Sequence, residues 1–165
     1  MNTPNRGKPS TGHPSRPSYG QAPRGGAGPD RDVPPQIEVS NIIFAEKPSS
    51  RLFAEVAEEA AKVVSQAKKD QNKPSQLRRF YDELVMWQEK VGTSGTSSEG
   101  FADCEPYIRM LKAKVAYAKG REHVDANFER LLHRVVDQVK DANTLRQAKL
   151  FMEAFMAYYK VYRPK

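Results

Sequence analysis

The sequence has one cysteine, Cys104, among its 165 residues, and a single cysteine cannot form an intramolecular disulfide. No stretch approaches the roughly 20 consecutive apolar residues of a membrane-spanning helix. The N-terminus also lacks the short apolar run of a secretory signal. We therefore expect a cytoplasmic protein with no membrane partner.

Residue patterns of common catalytic and metal sites are missing as well. There is no Gly-rich phosphate loop that ends in Lys-Ser/Thr, and no His-Glu-x-x-His pair. His13, His123 and His133 are widely spaced, and no cysteine pair accompanies them to complete a zinc site. We expect a protein that is not an enzyme and that holds no metal or other cofactor.

Positive charge is unevenly distributed within the net charge of +7. Residues 1–35 carry five Lys/Arg against two Asp/Glu, residues 36–104 nine against eleven, and residues 105–165 thirteen against seven. The excess at the two ends of the chain is typical of a protein that binds a polyanion. The alternative is a solvated, mildly basic surface.

The composition changes near residue 36. Residues 1–35 contain eight of the twelve prolines and six of the ten glycines, with almost no aliphatic side chains. Such a segment cannot bury enough apolar area to offset the entropy lost on ordering. We predict a disordered tail over residues 1–36 and a helical domain over residues 37–165, with a flexible Gly/Ser-rich loop at residues 92–100.

The domain opens with a short apolar run that precedes the helical pattern. It consists of Ile37, Val39, Ile42, Ile43 and Phe44. This run forms either a strand-like arm or an irregular strap across the domain, and the sequence leaves both interpretations open.

Beyond Pro48 the apolar residues recur with helical spacing, and no alternating strand pattern is present. The spacing predicts five helices, at about residues 50–70, 74–92, 106–120, 125–140 and from 144 to near the end. Pro74 suits a first helical position, Gly120 a C-cap, and Thr144 the start of a capping box. The predicted fold class is all-α, a compact bundle of about five helices.

The fifth helix is unusually apolar. Phe151 and Tyr158 extend its apolar stripe on one side and Met156 on the other, so that the arc spans roughly 160°. Either this helix is the centre of the bundle, or its arc also packs against another subunit.

Residues 111–121 form an apolar helical stripe with cations on both edges and no acid. At about 100° per residue, Lys112 and Lys119 lie along one edge, and Lys114 and Arg121 along the other. Because few acids lie nearby in the sequence, these cations predict a surface for nucleic-acid phosphates. A solvated lysine face is the alternative.

Three stretches, in their order and spacing, resemble elements of one protein family. Residues 75–81 (Ser-Gln-Leu-Arg-Arg-Phe-Tyr) resemble its Gln-x-Arg-x-Phe element. Residues 111–121 resemble its Lys-x-Ala-Tyr-Ala-x-Gly-Arg element, and residues 153–160 resemble its Glu-Ala-x-x-Ala-Tyr-x-Lys element. The family is the small subunit of type III-A CRISPR effector complexes, and the likeness covers about residues 50–162.

This resemblance implies a five-helix protein without catalytic activity of its own. It also implies that several copies stack head to tail beside the crRNA-bound backbone subunits and together line the channel of the guide–target RNA duplex. The implied partners are crRNA, target RNA, the backbone and large subunits, and further copies of this chain. The alternative function is a helical protein–protein adaptor without direct RNA contact, which works through the apolar arc of the fifth helix.

The candidate RNA-binding residues combine the cationic helix with cations of the other two elements. Arg78 and Arg79 bind phosphates, or instead pair with the acids four residues further along the helix. Lys160 is included because the third element contains it, although it also complements the helix macrodipole. The full set is Arg78, Arg79, Lys112, Lys114, Lys119, Arg121 and Lys160.

Overall fold

The computed structural model describes residues 35–93 and 97–163. Within these residues it contains five α-helices and no strand, so the predicted all-α class is confirmed. The helices are α1 (Ala57–Ser65), α2 (Pro74–Thr93), α3 (Ser97–Gly120), α4 (Ala126–Gln138) and α5 (Ala142–Tyr162), and one π-helical turn (Leu52–Val56) precedes α1. The tail predicted over residues 1–36 lies, up to residue 34, outside the described residues.

Helix α5 is the centre of the bundle. It contacts each of the other four helices and the π-helical turn. Phe151, Met152, Phe155 and Tyr159 are fully buried along its length. The width of the apolar arc therefore follows from packing on several sides, and Phe151 has no surface left for another subunit.

Aromatic contacts join the central helix to two others. The ring of Phe128 on α4 lies 5.5 Å from that of Phe80 on α2 and 6.1 Å from that of Phe155 on α5. Burying a side chain of this size stabilises a fold by about 1.5–3 kcal/mol. This cluster fixes α2, α4 and α5 relative to one another.

Helix α1 ends at Ser65, earlier than the predicted end near residue 70. The chain then turns, and Asn72 adopts the left-handed region with a φ of 53°. The Asn72 Nδ2 donates to the carbonyl of Val64 at 3.2 Å, which satisfies one of the last carbonyls of α1. Ala67 remains half-buried beyond the helix, so the apolar spacing continues past its true end.

Asn72 also forms a buried polar junction between distant parts of the chain. Its Nδ2 donates to Asp125 Oδ1 at 2.8 Å, and its Oδ1 accepts from Asp125 N at 2.9 Å. The Asn72 backbone donates to His123 O at 2.9 Å and accepts from the Tyr159 hydroxyl at 2.5 Å. We call Asn72, His123, Asp125 and Tyr159 the Asn72 junction. It ties the turn after α1 to the start of α4 and the end of α5.

Helix α3 begins at Ser97, well before the predicted start at Pro106, so that Pro106 lies inside the helix. Phe101 and Cys104 are buried ahead of the proline and continue the face of Ile108. Their burial offsets the roughly 3 kcal/mol that an interior proline costs a helix. In the predicted loop, residues 92–93 and 97–100 are helical, while residues 94–96 lie outside the described part of the chain.

Helix α5 begins at Ala142, and its N-cap is Asp141 rather than Thr144. Asp141 Oδ1 accepts from Thr144 N at 2.7 Å, and Thr144 Oγ1 accepts from Asp141 N at 3.0 Å. The capping box was predicted one helical turn too far along the chain, because residues 144–147 also fit the Ser/Thr-x-x-Glu/Gln spacing of a capping box. Gln147, its expected last member, is instead buried against the backbone of Ala45.

Helix α3 ends at Gly120 as predicted, but the left-handed residue is Glu122, with a φ of 57°. His123 N donates to Ala118 O at 2.9 Å, and Glu122 N donates to Lys119 O at 2.8 Å. This pair of bonds is a Schellman motif. Gly120 is the last helical residue and not the cap.

Residues 35–45 cross α4 and the start of α5 as an irregular strap, which decides between the two interpretations of the apolar run. We call them the strap. Ile37, Ile42 and Phe44 are buried, whereas Ile43 is 55% exposed. The Phe44 ring lies 6.2 Å from that of Phe151. The strap is thus part of the core, although it has no regular secondary structure.

Candidate nucleic-acid interface

One edge of α3 faces α4. Lys112 Nζ lies 2.7 Å from Asp137 Oδ1. In the last turn of the helix, Lys119 Nζ lies 2.5 Å from Glu129 Oε2. Val115 lies between these lysines in the sequence and is fully buried in the core. This edge contains the two cations that the helical wheel placed together.

The opposite edge of α3 faces α2. Lys114 Nζ lies 2.5 Å from Glu83 Oε1, which also accepts from Trp87 Nε1 at 3.4 Å. The Trp87 ring stacks on the Tyr107 ring at 5.3 Å. Trp87 follows Glu83 in α2, whereas its partner Tyr107 precedes Lys114 in α3. The two helices are therefore antiparallel.

The expectation that few acids lie near these lysines is wrong. Glu83 belongs to α2, and Glu129 and Asp137 belong to α4, so no local spacing rule connects them to α3. The lysines nevertheless remain accessible, since the side chains of Lys114 and Lys119 are 48% and 45% exposed. In these two ion pairs the lysine lies at the surface, whereas the side chains of Glu83 and Glu129 are each 19% exposed.

Two cations near the α2-facing edge have no carboxylate partner among the described residues. Arg121 Nη1 donates to the Tyr117 hydroxyl at 3.2 Å, and the guanidinium lies 5.9 Å from the centre of that ring. Arg79 is exposed, and the acid four residues further on, Glu83, pairs with Lys114. Antiparallel packing places the Arg79 end of α2 beside the end of α3 that holds Tyr117 and Arg121.

Arg78 and Lys160 lie at a different place, on a groove of about 430 Å³ between the start of α2 and the end of α5. Arg78 Nε lies 3.5 Å from Asp82 Oδ1, so the pairing proposed as its alternative role is present. Glu153 also lines the groove and accepts from Lys149 at 2.5 Å. That hydrogen bond raises the pKa of Lys149 and compensates the Glu153 charge.

The seven candidates therefore fall at three places: two edges of α3, with Arg79 beside one of them, and the α2–α5 groove. The two edges flank a single exposed face of α3. We call this surface the α3 face, formed by Met110, Ala113, Ala116, Tyr117 and Gly120. Among the described residues, the α3 face is the surface that brings most of the candidates together.

A family model described as Csm2 Type III-A matches residues 48–165. This range contains all five helices and all seven candidate cations. The chain belongs to the Csm2 Type III-A family. The resemblance inferred from three short sequence elements is thereby confirmed. No curated protein and no solved structure matches the chain.

Csm2 family membership makes this chain a small subunit of a type III-A CRISPR complex, and the family is generally structural in that complex. The first sequence element opens α2, the second closes α3 and the third closes α5. The first and third elements meet at the α2–α5 groove through Arg78 and Lys160. The second supplies the α2-facing edge of the α3 face.

Arg109 has a role in this Csm2-family chain that its sequence spacing did not indicate. It pairs with Glu105, four residues earlier in α3, at 2.9 Å. Arg109 also donates to the carbonyls of Val136 and Val139, both at 2.8 Å. It thereby closes the last turn of α4 and fixes α3 against it.

An aromatic contact at the α2-facing edge, between Trp87 and Tyr107, was not predicted from the sequence. Trp87 is half-buried, and Lys90 Nζ lies 4.7 Å above its ring. Tyr107, its stacking partner, is 54% exposed. Tyr107 lies two helical turns before Lys114, and this spacing was the available signal that both share one edge.

The described residues contain neither a membrane-spanning helix nor a cluster of metal ligands. None of their helices is both long and apolar enough to cross a membrane. No three side chains of His, Cys, Asp or Glu within them lie close enough to hold a metal ion. Cys104 is a buried free thiol.

Proposed function

We propose that this Csm2-family subunit binds the ribose-phosphate backbone of crRNA and target RNA through the α3 face, without sequence specificity. Several copies stack beside the backbone and large subunits, and catalysis belongs to other subunits. The observation that carries the proposal is the presence of cations on both edges of one exposed helical face.

The ion pairs of α3 do not prevent phosphate binding. A solvent-exposed ion pair stabilises a protein by only about 0–1 kcal/mol, so a lysine can exchange its carboxylate for a phosphate at little cost. Glu83 keeps a partner after such an exchange, because Trp87 still donates to it. Lys112, Lys114 and Lys119 can therefore bind RNA although each contacts an acid in the free subunit.

Arg79 and Arg121 need no exchange. Neither has a carboxylate partner among the residues described, and a guanidinium donates to phosphate oxygens in a fixed fork geometry. Tyr117, beside Arg121, is 68% exposed and can stack on a base of any type. Contacts of these kinds read the backbone and the base plane but not the sequence.

Stacking of identical copies requires two different surfaces on each subunit, because a head-to-tail contact joins unlike patches. Apart from Ile43 of the strap, the large exposed apolar side chains of the described chain occur in two regions. Met86, Tyr107 and Met110 lie on α2 and α3, and Val161 and Tyr162 lie at the end of α5. Tyr162 hydrogen-bonds to α1, and α1 makes no contact with α3, so the two regions are separate.

The decisive variant reverses two charges at the α3 face, Lys114→Glu with Arg121→Glu. RNA affinity is measured over a series of salt concentrations. Each phosphate contact contributes roughly 0.7–0.9 to the slope of log K against log salt, so losing two contacts should flatten the slope by about 1.5. The RNA affinity of the variant at low salt should also be lower than that of wild type.

A matched control separates a local contact from net charge. Lys47→Glu with Arg51→Glu changes the net charge by the same amount. Both residues precede α1, and α1 makes no contact with α3 within the described chain. The control should keep the wild-type slope. Equal slopes for the two double variants would contradict binding at the α3 face.

The adaptor alternative loses its predicted surface. It requires Phe151 and Tyr158 to be available on α5, yet Phe151 is fully buried and Tyr158 is partly buried. Removing Phe151 would therefore damage the core rather than an interface.

A further inference from the structure

The strap is held largely through its backbone. Asn127 of α4 accepts from Ile37 N and donates to Pro35 O, both at 3.0 Å. Gln147 of α5 makes the same two-way contact with the N–H and carbonyl of Ala45, at 3.2 and 2.6 Å. An amide side chain that pairs with both backbone groups recognises an extended chain whatever its side chains are.

Two further residues of α4 bind the middle of the strap. Arg134 Nε donates to Ile42 O at 3.0 Å, and Gln138 Oε1 accepts from Phe44 N at 3.3 Å. The side chains of Ile42 and Phe44 are buried beside these contacts. We call the surface that binds the strap the strap groove, formed by Asn127, Arg134, Gln138, Gln147 and Phe151. It combines backbone recognition with apolar pockets, as peptide-binding grooves do.

The segment that joins the strap to the first helical turn is weakly held. All of residues 46–51 are exposed. Their hydrogen bonds to the described chain are local, with Ser49 accepting from Arg51 N at 3.3 Å and from Leu52 N at 3.0 Å. A cavity of about 310 Å³ separates Ile43 of the strap from the π-helical turn. This segment can reorient without breaking any contact in the strap groove.

We propose that the strap groove binds either its own strap or the strap of a neighbouring copy. A strap from a second copy makes the same hydrogen bonds and fills the same pockets, so an exchange conserves every contact within the groove. Exchange of an identical element across a short hinge is a low-cost route to linked subunits. The strap lies ahead of the family-matched residues 48–165, so this link is an addition to the matched domain.

We infer that the strap in the groove can come from a second copy, because that copy has the same strap, joined to its first helical turn by the same exposed residues 46–51. Stacking places the copies next to one another, which raises the effective concentration of each strap at the next groove. In this step the inference rests on the proposed function. Its test contains no RNA, so failure of strap exchange and failure of RNA binding are distinguishable.

The test mixes two full-length variants. The strap-blocked variant, Ile42→Asp with Phe44→Asp, cannot seat its own strap and leaves its groove empty. The groove-blocked variant, Asn127→Ala with Gln147→Ala, has an intact strap and a weakened groove. Light scattering after size exclusion should reveal a 1:1 complex in the mixture that neither variant forms alone.

A peptide of residues 35–45 provides a second readout. It should raise the Tm of the strap-blocked variant by about 3–6 °C when present well above its Kd. It should bind wild type at least tenfold more weakly, because the groove is already occupied. A folded strap-blocked variant that gives neither a complex nor a Tm shift would overturn the proposal.

If circular dichroism shows that the strap-blocked variant is unfolded, labelled peptide is titrated into wild type and into the groove-blocked variant. Saturable binding to wild type, reduced at least tenfold in the groove-blocked variant, supports the proposal. Absence of saturable binding to wild type overturns it.

Discussion

The Asn72 junction and the α3 face are both polar, yet they are built in opposite ways. At the junction, the fully buried side chain of Asn72 is hydrogen-bonded to Val64 of α1 and to Asp125 at the start of α4, and its backbone carbonyl accepts from Tyr159 near the end of α5. At the α3 face, exposed lysines pair with acids from neighbouring helices. Buried polar contacts are costly to leave unmade, whereas exposed ion pairs are exchangeable. The first arrangement fixes the fold, and the second leaves a surface for a partner.

The largest effect is expected when the junction is broken by Asn72→Ala. The change removes three side-chain hydrogen bonds and places alanine at a left-handed φ, so the free energy of unfolding should fall by roughly 3 kcal/mol or more. Urea unfolding measures the loss. Asn72→Gly, which tolerates that φ, should recover part of it. Equal stability of wild type and Asn72→Ala would show that the junction does not hold the fold together.

A smaller loss is expected for Tyr159→Phe, which removes the hydroxyl that donates to Asn72 O. At neutral pH the free energy of unfolding should fall by about 1 kcal/mol. Burial raises the pKa of Tyr159, because the charged phenolate is disfavoured away from water. Its contribution is therefore fully present below the ordinary tyrosine pKa of about 10 and is lost as pH rises through the folded-state value.

This pH dependence distinguishes the hydroxyl from simple packing. Wild type should lose stability at alkaline pH more steeply than Tyr159→Phe, and chemical denaturation on both sides of pH 10 measures the difference. Parallel stability profiles for the two proteins would contradict the assigned titration.

The smallest effect on stability is expected at the α3 face, for Glu83→Gln. Loss of one exposed ion pair should change the free energy of unfolding by less than about 1 kcal/mol. RNA affinity should rise up to about fivefold, because Lys114 no longer has a competing carboxylate. Glu55→Gln, which frees Arg51 with the same change in net charge, serves as the control. Equal gains in affinity for both variants would refute competition at Lys114.

Local patterns in the sequence predicted the five helices and the division of the α3 cations between two edges. Both follow from side-chain periodicity, which depends on neighbours within two helical turns. The partners of those cations could not be predicted this way, since Glu83 and Glu129 belong to other helices. The prediction of helix ends failed for a related reason. Pro106 fits a helix start locally, and only the burial of Phe101 and Cys104 keeps it inside α3.

The Asn72 junction gave no local signal at all. An asparagine after a helix is an ordinary turn residue, and its bonds to Asp125 and Tyr159 arise only once α4 and α5 have packed. The strap was predicted in part: its apolar residues were identified, but its path across the domain was not. Backbone recognition by Asn127 and Gln147 leaves no mark in the sequence of the strap itself.

Ultraviolet crosslinking of the assembled type III-A complex to target RNA, mapped by mass spectrometry, tests the RNA-binding role of the α3 face most directly. Tyr117 should crosslink, because it is exposed between the two cationic edges. Tyr162, exposed beside α1, provides an internal comparison and should crosslink far less. Crosslinks at Tyr162 with none in residues 107–121 would contradict RNA binding at the α3 face.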